Sequence, residues 1–236
     1  MATALKAALE DLLRSRRLQD DGPPLRGEDR RLRPLPTGVR GVDALVGGGL
    51  PRGELSEVYG PRSSGRTGLV LSLVAACVGR GSLAAWVDPA DCLAPASAAA
   101  AGVDLARLLW LRGETRGPRA RRLTEAVAAV ATLVGSGLFE VVVLDVAAFP
   151  PHDLGRLPGP TWIRLQRMIA DSPAALVLLA EAHVARGPRG ASLELRGGPR
   201  WSGAAGPGRL LRGLGAELSV GRHHPRLAAF ELEASV

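Results

Sequence analysis

The chain has 236 residues, 46% of them hydrophobic, with 30 basic and 23 acidic side chains and a net charge of +7. This is room for one α/β domain with a filled core and short appendages. The longest apolar run, Leu69 to Val78, is broken by Ser72 and too short to span a membrane, and Cys77 and Cys92 lack metal-ligand spacing. Aromatic residues make up only 3%, so the expected core is Ala, Val and Leu. The excess of positive charge suggests a polyanionic partner such as DNA. Against that, Lys6 is the only lysine among the basic residues, a skew that coding bias also produces.

Residues 3–18 place Leu5, Ala8, Leu9, Leu12 and Leu13 at helical spacing, with Arg14, Arg16 and Arg17 at the end that suits the helix dipole. The first residues alternate charge and leucine and do not read as a signal peptide. Gly22, Pro23, Pro24, Gly27 and Pro34 then mark an extended linker. The expected organisation is a helix over 1–19, a linker over 20–36 and a core domain over 37–236. On this reading Leu5, Leu9, Leu12 and Leu13 form a protein interface, for self-association or a partner. The alternative is that the helix folds back onto its own core.

The core opens on an apolar run, Leu55–Tyr59, followed by Gly60-Pro61-Arg62-Ser63-Ser64-Gly65-Arg66-Thr67 and a helical run over Gly68–Cys77. Strand, glycine-rich loop and helix in that order make a phosphate cradle, because glycines let backbone N–H groups turn onto phosphates at a helix N-terminus. Its central lysine is replaced by Arg66, and a planar guanidinium is a poor substitute for a compact ammonium at so tight a site. Further strands are predicted at Leu83–Asp88, Leu108–Leu111, Glu140–Asp145 and Ala174–Ala180. Helices are predicted at Ala96–Ala101, Ala120–Gly135 and Thr161–Ala170. The alternation with near-continuous apolar strands predicts a mainly parallel sheet covered by helices on both faces. From Val184 to Pro207 the chain is rich in Gly, Pro and Arg and is expected to be a loop, although Ala191–Leu195 alternates in the manner of a hairpin. Two alternating strands, Ala216–Val220 and Leu227–Leu232, are expected as an antiparallel C-terminal edge. The two cysteines read as buried or semi-buried reduced thiols.

Residues 37–67, TGVRGVDALVGGGLPRGELSEVYGPRSSGRT, resemble the opening of the RecA recombinase domain. The likeness continues through Trp86-Val87-Asp88, Gly102-Val103-Asp104-Leu105 and the Walker B strand Phe139 to Asp145. It implies a RecA-like P-loop core, with Gly60, Ser63, Ser64, Gly65, Arg66, Thr67 and Asp145 as what remains of a nucleotide site. The family's catalytic glutamate falls on Ala90, and Asp91 beside it is expected to point elsewhere. The adenine-contacting positions fall on Ala94 and Ser97, and the phosphate-sensing glutamine on Glu181 or its neighbour. These departures imply a pseudo-ATPase with no required cofactor, no metal and at most weak ATP and magnesium binding. The two DNA loops correspond to Ala147–Pro160 and Val184–Ala205, with Arg186, Arg189, Arg196, Arg200 and Trp201 as candidate DNA contacts. His223 and His224 read as exposed histidines at a strand start.

Short length, an eroded ATP site and a Leu-rich, Arg-ended first helix resemble the ImuA type of RecA relative. That resemblance implies a cytoplasmic accessory protein of error-prone translesion synthesis with RecA or an ImuB-like protein as partner, single-stranded DNA as a further one, and no membrane. The alternatives are an active DNA-dependent ATPase or recombinase, and a scaffold without DNA affinity.

Overall fold

The computed structural model describes Asp11, residues 33–114, 116–170, 172–185 and 190–203, and then 206, 208–220 and 226–233. The leucine stripe Leu5, Leu9, Leu12 and Leu13, Arg186, Arg189 and the pair His223-His224 lie outside the described residues.

A short helix α1 (Arg40–Leu45) precedes β1 (Leu55–Tyr59), α2 (Arg66–Val78) and β2 (Ala84–Asp88). Next come α3 (Pro95–Ala100), β3 (Leu108–Arg112), α4 (Arg119–Ser136) and β4 (Val141–Asp145). Two helices, α5 (Pro151–Leu154) and α6 (Thr161–Ile169), lead to β5 (Ala175–Ala180). Three strands close the chain: β6 (Ser192–Ser202), β7 (Leu210–Val220) and β8 (Arg226–Glu233). They form one sheet in the order β3-β2-β4-β5-β1-β6-β7-β8. Pairing is parallel from β3 through β6 and antiparallel from β6 to β8. This is the expected α/β architecture with its antiparallel C-terminal edge.

Side-chain alternation sorts the core into two layers. Val141 and Val143 of β4 face one side with Trp86 and Val177, against Leu69, Val70, Leu73 and Val74 of α2. Val142 and Leu144 face the other with Leu176 and Leu178, against Leu123, Val130 and Leu133 of α4 and Leu165 and Ile169 of α6. Each of these large side chains, buried from water, contributes roughly 1.5–3 kcal/mol. Ala, Val and Leu dominate as expected, but the aromatic residues are not peripheral: Trp86, Phe139, Phe149 and Trp162 are all buried.

The structure corrects three expectations. Leu35, placed in the linker, is fully buried and exchanges backbone hydrogen bonds of 2.7 and 2.8 Å with Leu50, so the core starts before Thr37. Much of the expected loop over Val184–Ala205 is β6, which pairs with β1 over Ser192–Glu194 and with β7 along its length. Cys77 is buried as expected, whereas Cys92 is exposed.

Candidate nucleotide site

The C-terminal ends of β1 and β4 open onto a cavity of about 310 Å³, lined among others by Arg66, Thr67, Ala94, Ser97 and Asp145. Crevices at the carboxyl ends of parallel strands are where α/β sheets of this kind bind ligands. β1 ends at Tyr59, the chain turns at Gly60, and α2 starts at Arg66. Gly65, at the N-cap of α2, has φ 90°, which favours glycine. Ser63 takes a left-handed φ of 61° without being glycine. Gly60 is required for a different reason: a Cβ there would fall within van der Waals contact of the Leu195 carbonyl oxygen, because β6 crosses close above the loop.

Inside the cradle Arg66 turns back, and its Nη1 donates a short hydrogen bond to the Gly60 carbonyl oxygen. The residue is only 8% exposed, and its Nε has no partner among the described residues. Burial pushes the guanidinium below its ordinary range; the charges of Glu181 and Asp145 oppose that and Arg62 reinforces it. Ser64 is fully buried with its hydroxyl unpartnered among the described residues. The loop therefore keeps the backbone form of a phosphate cradle while its own cation is bonded to the loop carbonyl.

Asp145 ends β4, accepts a hydrogen bond from the Ala147 N–H at 3.0 Å and lines the cavity beside Thr67. Burial, with the Asp88 charge beside it, pushes its carboxyl up to about 6 despite the Ala147 bond and Arg66. Asp88, at the end of β2, is fully buried and accepts from the Leu93 N–H at 2.8 Å and from Trp110 Nε1 at 3.2 Å, which pins the segment leading to Ala94. Ala90 offers only a methyl group. Its neighbour Asp91, at a left-handed φ of 56°, is held by Arg112 through bonds of 2.7 and 2.8 Å and does not line the cavity. Thus Thr67, Ala94, Ser97 and Asp145 line one cavity, and Glu181 is near enough to act on Arg66.

Arg62 and Cys92 also line the cavity, and sequence reasoning did not place them there. Arg62 sits inside the loop motif itself and was legible on that ground; Cys92 reaches the cavity only through the turn after β2. Glu57, fully buried on β1, was also missed. Its Oε1 accepts from the Val184 and Ala185 N–H groups at 2.6 and 3.1 Å, and His183 Nδ1 lies 2.5 Å from Oε2.

The candidate DNA residues fall elsewhere. Arg196, Arg200 and Trp201 lie on β6, in the stretch that runs beyond its pairing with β1 and pairs with β7. Arg196 is paired with Glu194 at 2.8 Å, and Trp201 is 46% exposed with the Arg209 guanidinium 5.5 Å from its ring centre. Among the described residues no cluster of His, Cys, Asp or Glu could hold a metal ion, and no helix is long and apolar enough to cross a membrane.

Comparison with known proteins agrees with this architecture. The RecA N-terminal domain family model matches residues 25–157, more than half of the chain. The RecA protein of Symbiobacterium thermophilum is 44% identical over 135 residues, 56% of this chain and 37% of its own length. The RecA proteins of Mesorhizobium japonicum and Clostridioides difficile are 43% and 42% identical over 120 and 119 residues, half of this chain and 31% and 32% of their own lengths. The match thus spans about a third of the curated relatives' length. With a P-loop between β1 and α2, a Walker B aspartate ending β4 and this extended match, the chain belongs to the RecA N-terminal domain family.

Proposed function

We propose that this chain is a catalytically degenerate RecA-family accessory protein of the DNA-damage response. It acts in error-prone translesion synthesis, in the manner of the ImuA type, through contacts with other proteins and not through ATP turnover. The observation that carries this reading is the Arg66 guanidinium bonded to the Gly60 carbonyl inside its own phosphate loop. A lysine ammonium in that place would be offered to the outer phosphates of a nucleotide. Ala90 adds to it, since a methyl group cannot act as general base for the attacking water. Ala94 and Ser97 on the cavity wall supply neither a carboxylate nor a stacking ring for a base.

The proposed partners are an ImuB-like polymerase factor and RecA itself. Head-to-tail association forms open filaments, and a relative without an ATP relay that joins one end would halt its growth. The leucine stripe Leu5, Leu9, Leu12 and Leu13 is the proposed protein interface. Single-stranded DNA is a further proposed ligand, met by Arg196, Arg200 and Trp201; a half-exposed indole with a guanidinium over it is a stacking surface for a base.

A second reading, an active DNA-dependent ATPase, draws on Thr67 and Asp145, which still line a cavity of about 310 Å³. The two separate in one experiment: ATP turnover by the full chain, measured with single-stranded DNA present and absent, alongside a pull-down with RecA and an ImuB-like protein. The accessory reading expects negligible turnover and a retained partner. Turnover comparable to an ordinary RecA would overturn it.

A further inference from the structure

The helix α6 is fixed to the core along one face and bare along the other. Trp162, Leu165 and Ile169 are buried. Gln166 ties the same face to the start of β1: its Oε1 accepts from the Leu55 N–H at 2.9 Å, and its Nε2 donates to Glu54 Oε2 at 2.8 Å. At the helix start, Thr161 Oγ1 donates to the Pro158 carbonyl at 2.6 Å. Helical periodicity then turns Ile163, Arg164, Arg167 and Met168 outward, and all four are exposed. Around the helix their order is Ile163, Arg167, Arg164, Met168, so the two cations sit between the two apolar side chains.

An outward helix face is ordinarily polar. Here Ile163 and Met168 are 50 and 41% exposed, two of the five large hydrophobic side chains so placed among the described residues. The arginines between them lack opposing charge. Among the described residues neither Arg164 nor Arg167 has a side-chain ion pair, and Asp171 is the only acid in the sequence between residues 154 and 180. On α4, which packs beside α6, the acid Glu125 is taken up by Arg121 at 2.7 Å.

Charge and shape select the occupant. A nucleic acid would meet only the arginines, because Ile163 and Met168 offer no ring on which a base could stack. Residues 3–18 of this chain carry Lys6, Arg14, Arg16 and Arg17 against Glu10 and Asp11, and the whole chain has a net charge of +7. Neither that segment nor a second copy complements two arginines. An amphipathic helix with carboxylates between two apolar residues does.

We propose that Ile163, Arg164, Arg167 and Met168 form a docking face for an acidic amphipathic helix of a partner protein. The face is separate from the nucleotide cavity, from the leucine stripe and from both segments compared with DNA loops, and it holds whether or not the chain turns over ATP. Because α6 is already held by the core and by Gln166, docking needs little ordering of this chain. A contact of one helix face is small, which suits a transient and salt-sensitive complex.

The test uses the full chain and a fluorescein-labelled synthetic peptide of about eighteen residues, long enough to hold helical structure. The peptide is built of Ala, Leu and Glu with two leucines flanking glutamates on one face, and binding is read by fluorescence anisotropy. A scrambled peptide of the same composition should bind at least about tenfold more weakly, which separates docking from attraction to a cationic protein. Arg164→Glu/Arg167→Glu should weaken binding of the acidic peptide about tenfold or more, and a peptide with lysines in place of the glutamates should recover it, which shows that the variant is folded. Ile163→Ser/Met168→Ser should weaken binding about fivefold, with the melting temperature unchanged. The proposal is overturned by equal binding of the scrambled peptide, by undetectable binding of the acidic one, or by unchanged affinity in either double variant. It is equally overturned if the variants lose affinity for an oligodeoxythymidine and not for the peptide, or if a peptide of residues 1–19 of this chain binds the face more tightly than the acidic one.

Discussion

Replacing Glu140 by glutamine should destabilise the fold strongly, although the residue lies just before β4, at the opposite end of that strand from Asp145 and the candidate site. Its side chain is 5% exposed, and its two oxygens meet Arg52 Nη2 at 2.5 Å, Cys77 Sγ at 3.0 Å and Arg80 Nη2 at 3.3 Å. Arg52 is itself 4% exposed, so removing the carboxylate strands a buried cation, which costs about 3–5 kcal/mol. Titration gives a similar figure by another route. Burial alone would raise the Glu140 carboxyl, but the bonds from Cys77 and Arg52 and the charges of Arg52 and Arg80 outweigh it and hold it at about 2, against 4.5 unperturbed. At 1.36 kcal/mol for each tenfold change in proton affinity, that difference is worth at most about 3 kcal/mol, less after solvent screening. Because the folded-state value is depressed, this stability is present above pH 4.5 and is lost as pH falls towards 2. Urea denaturation of wild type and Glu140→Gln at pH 7 and at pH 3 should show a gap of about 3 kcal/mol that narrows in acid. A gap below about 1 kcal/mol at pH 7, or one independent of pH, would refute the reasoning.

Other outcomes can be checked directly. Wild-type protein should show negligible ATP hydrolysis, and joint Arg66→Lys and Ala90→Glu replacement should not restore full turnover, because Ala94 and Ser97 still line the base pocket; RecA-like turnover by the unmodified chain would contradict this. Gly60→Ala should lower stability by about 2 kcal/mol or more in a thermal melt, since the new methyl meets the Leu195 carbonyl oxygen and Ser64 Oγ. Native protein should expose one thiol to a colorimetric disulfide reagent, Cys92, while Cys77, whose burial pushes its pKa up, reacts only after denaturation. Leu9→Asp with Leu12→Asp should abolish self-association or partner capture in sedimentation or pull-down while leaving the melting temperature within about 2 °C; a collapsed melt would assign the helix to its own core.

The strands of the parallel sheet and the P-loop were legible in the sequence because their signals are local. Leu55–Tyr59 followed by a glycine-rich loop has few readings, and Val141 to Leu144 is apolar on both faces, as only a strand covered on both sides needs to be. The identities of Arg66 and Ala90, on which the pseudo-ATPase proposal draws, were equally local. The strand β6 was legible only at its start, where Ala191–Leu195 alternates; beyond it Gly197, Gly198 and Pro199 carry loop chemistry. It is a strand because β1 and β7 supply its hydrogen-bond partners, and one of these is the sheet's own P-loop strand. The same distinction holds for side chains. Composition makes Arg66 a poor replacement for lysine, but only the packing of β6 over Gly60 and the burial of the loop decide that its guanidinium bonds back to the Gly60 carbonyl. Nor could spacing alone bring Arg52, Cys77 and Arg80 onto Glu140, or Arg119 onto Asp153: these groups are far apart in the chain and meet only where helices and strands pack, and a pairwise contact of that kind leaves no periodicity to read.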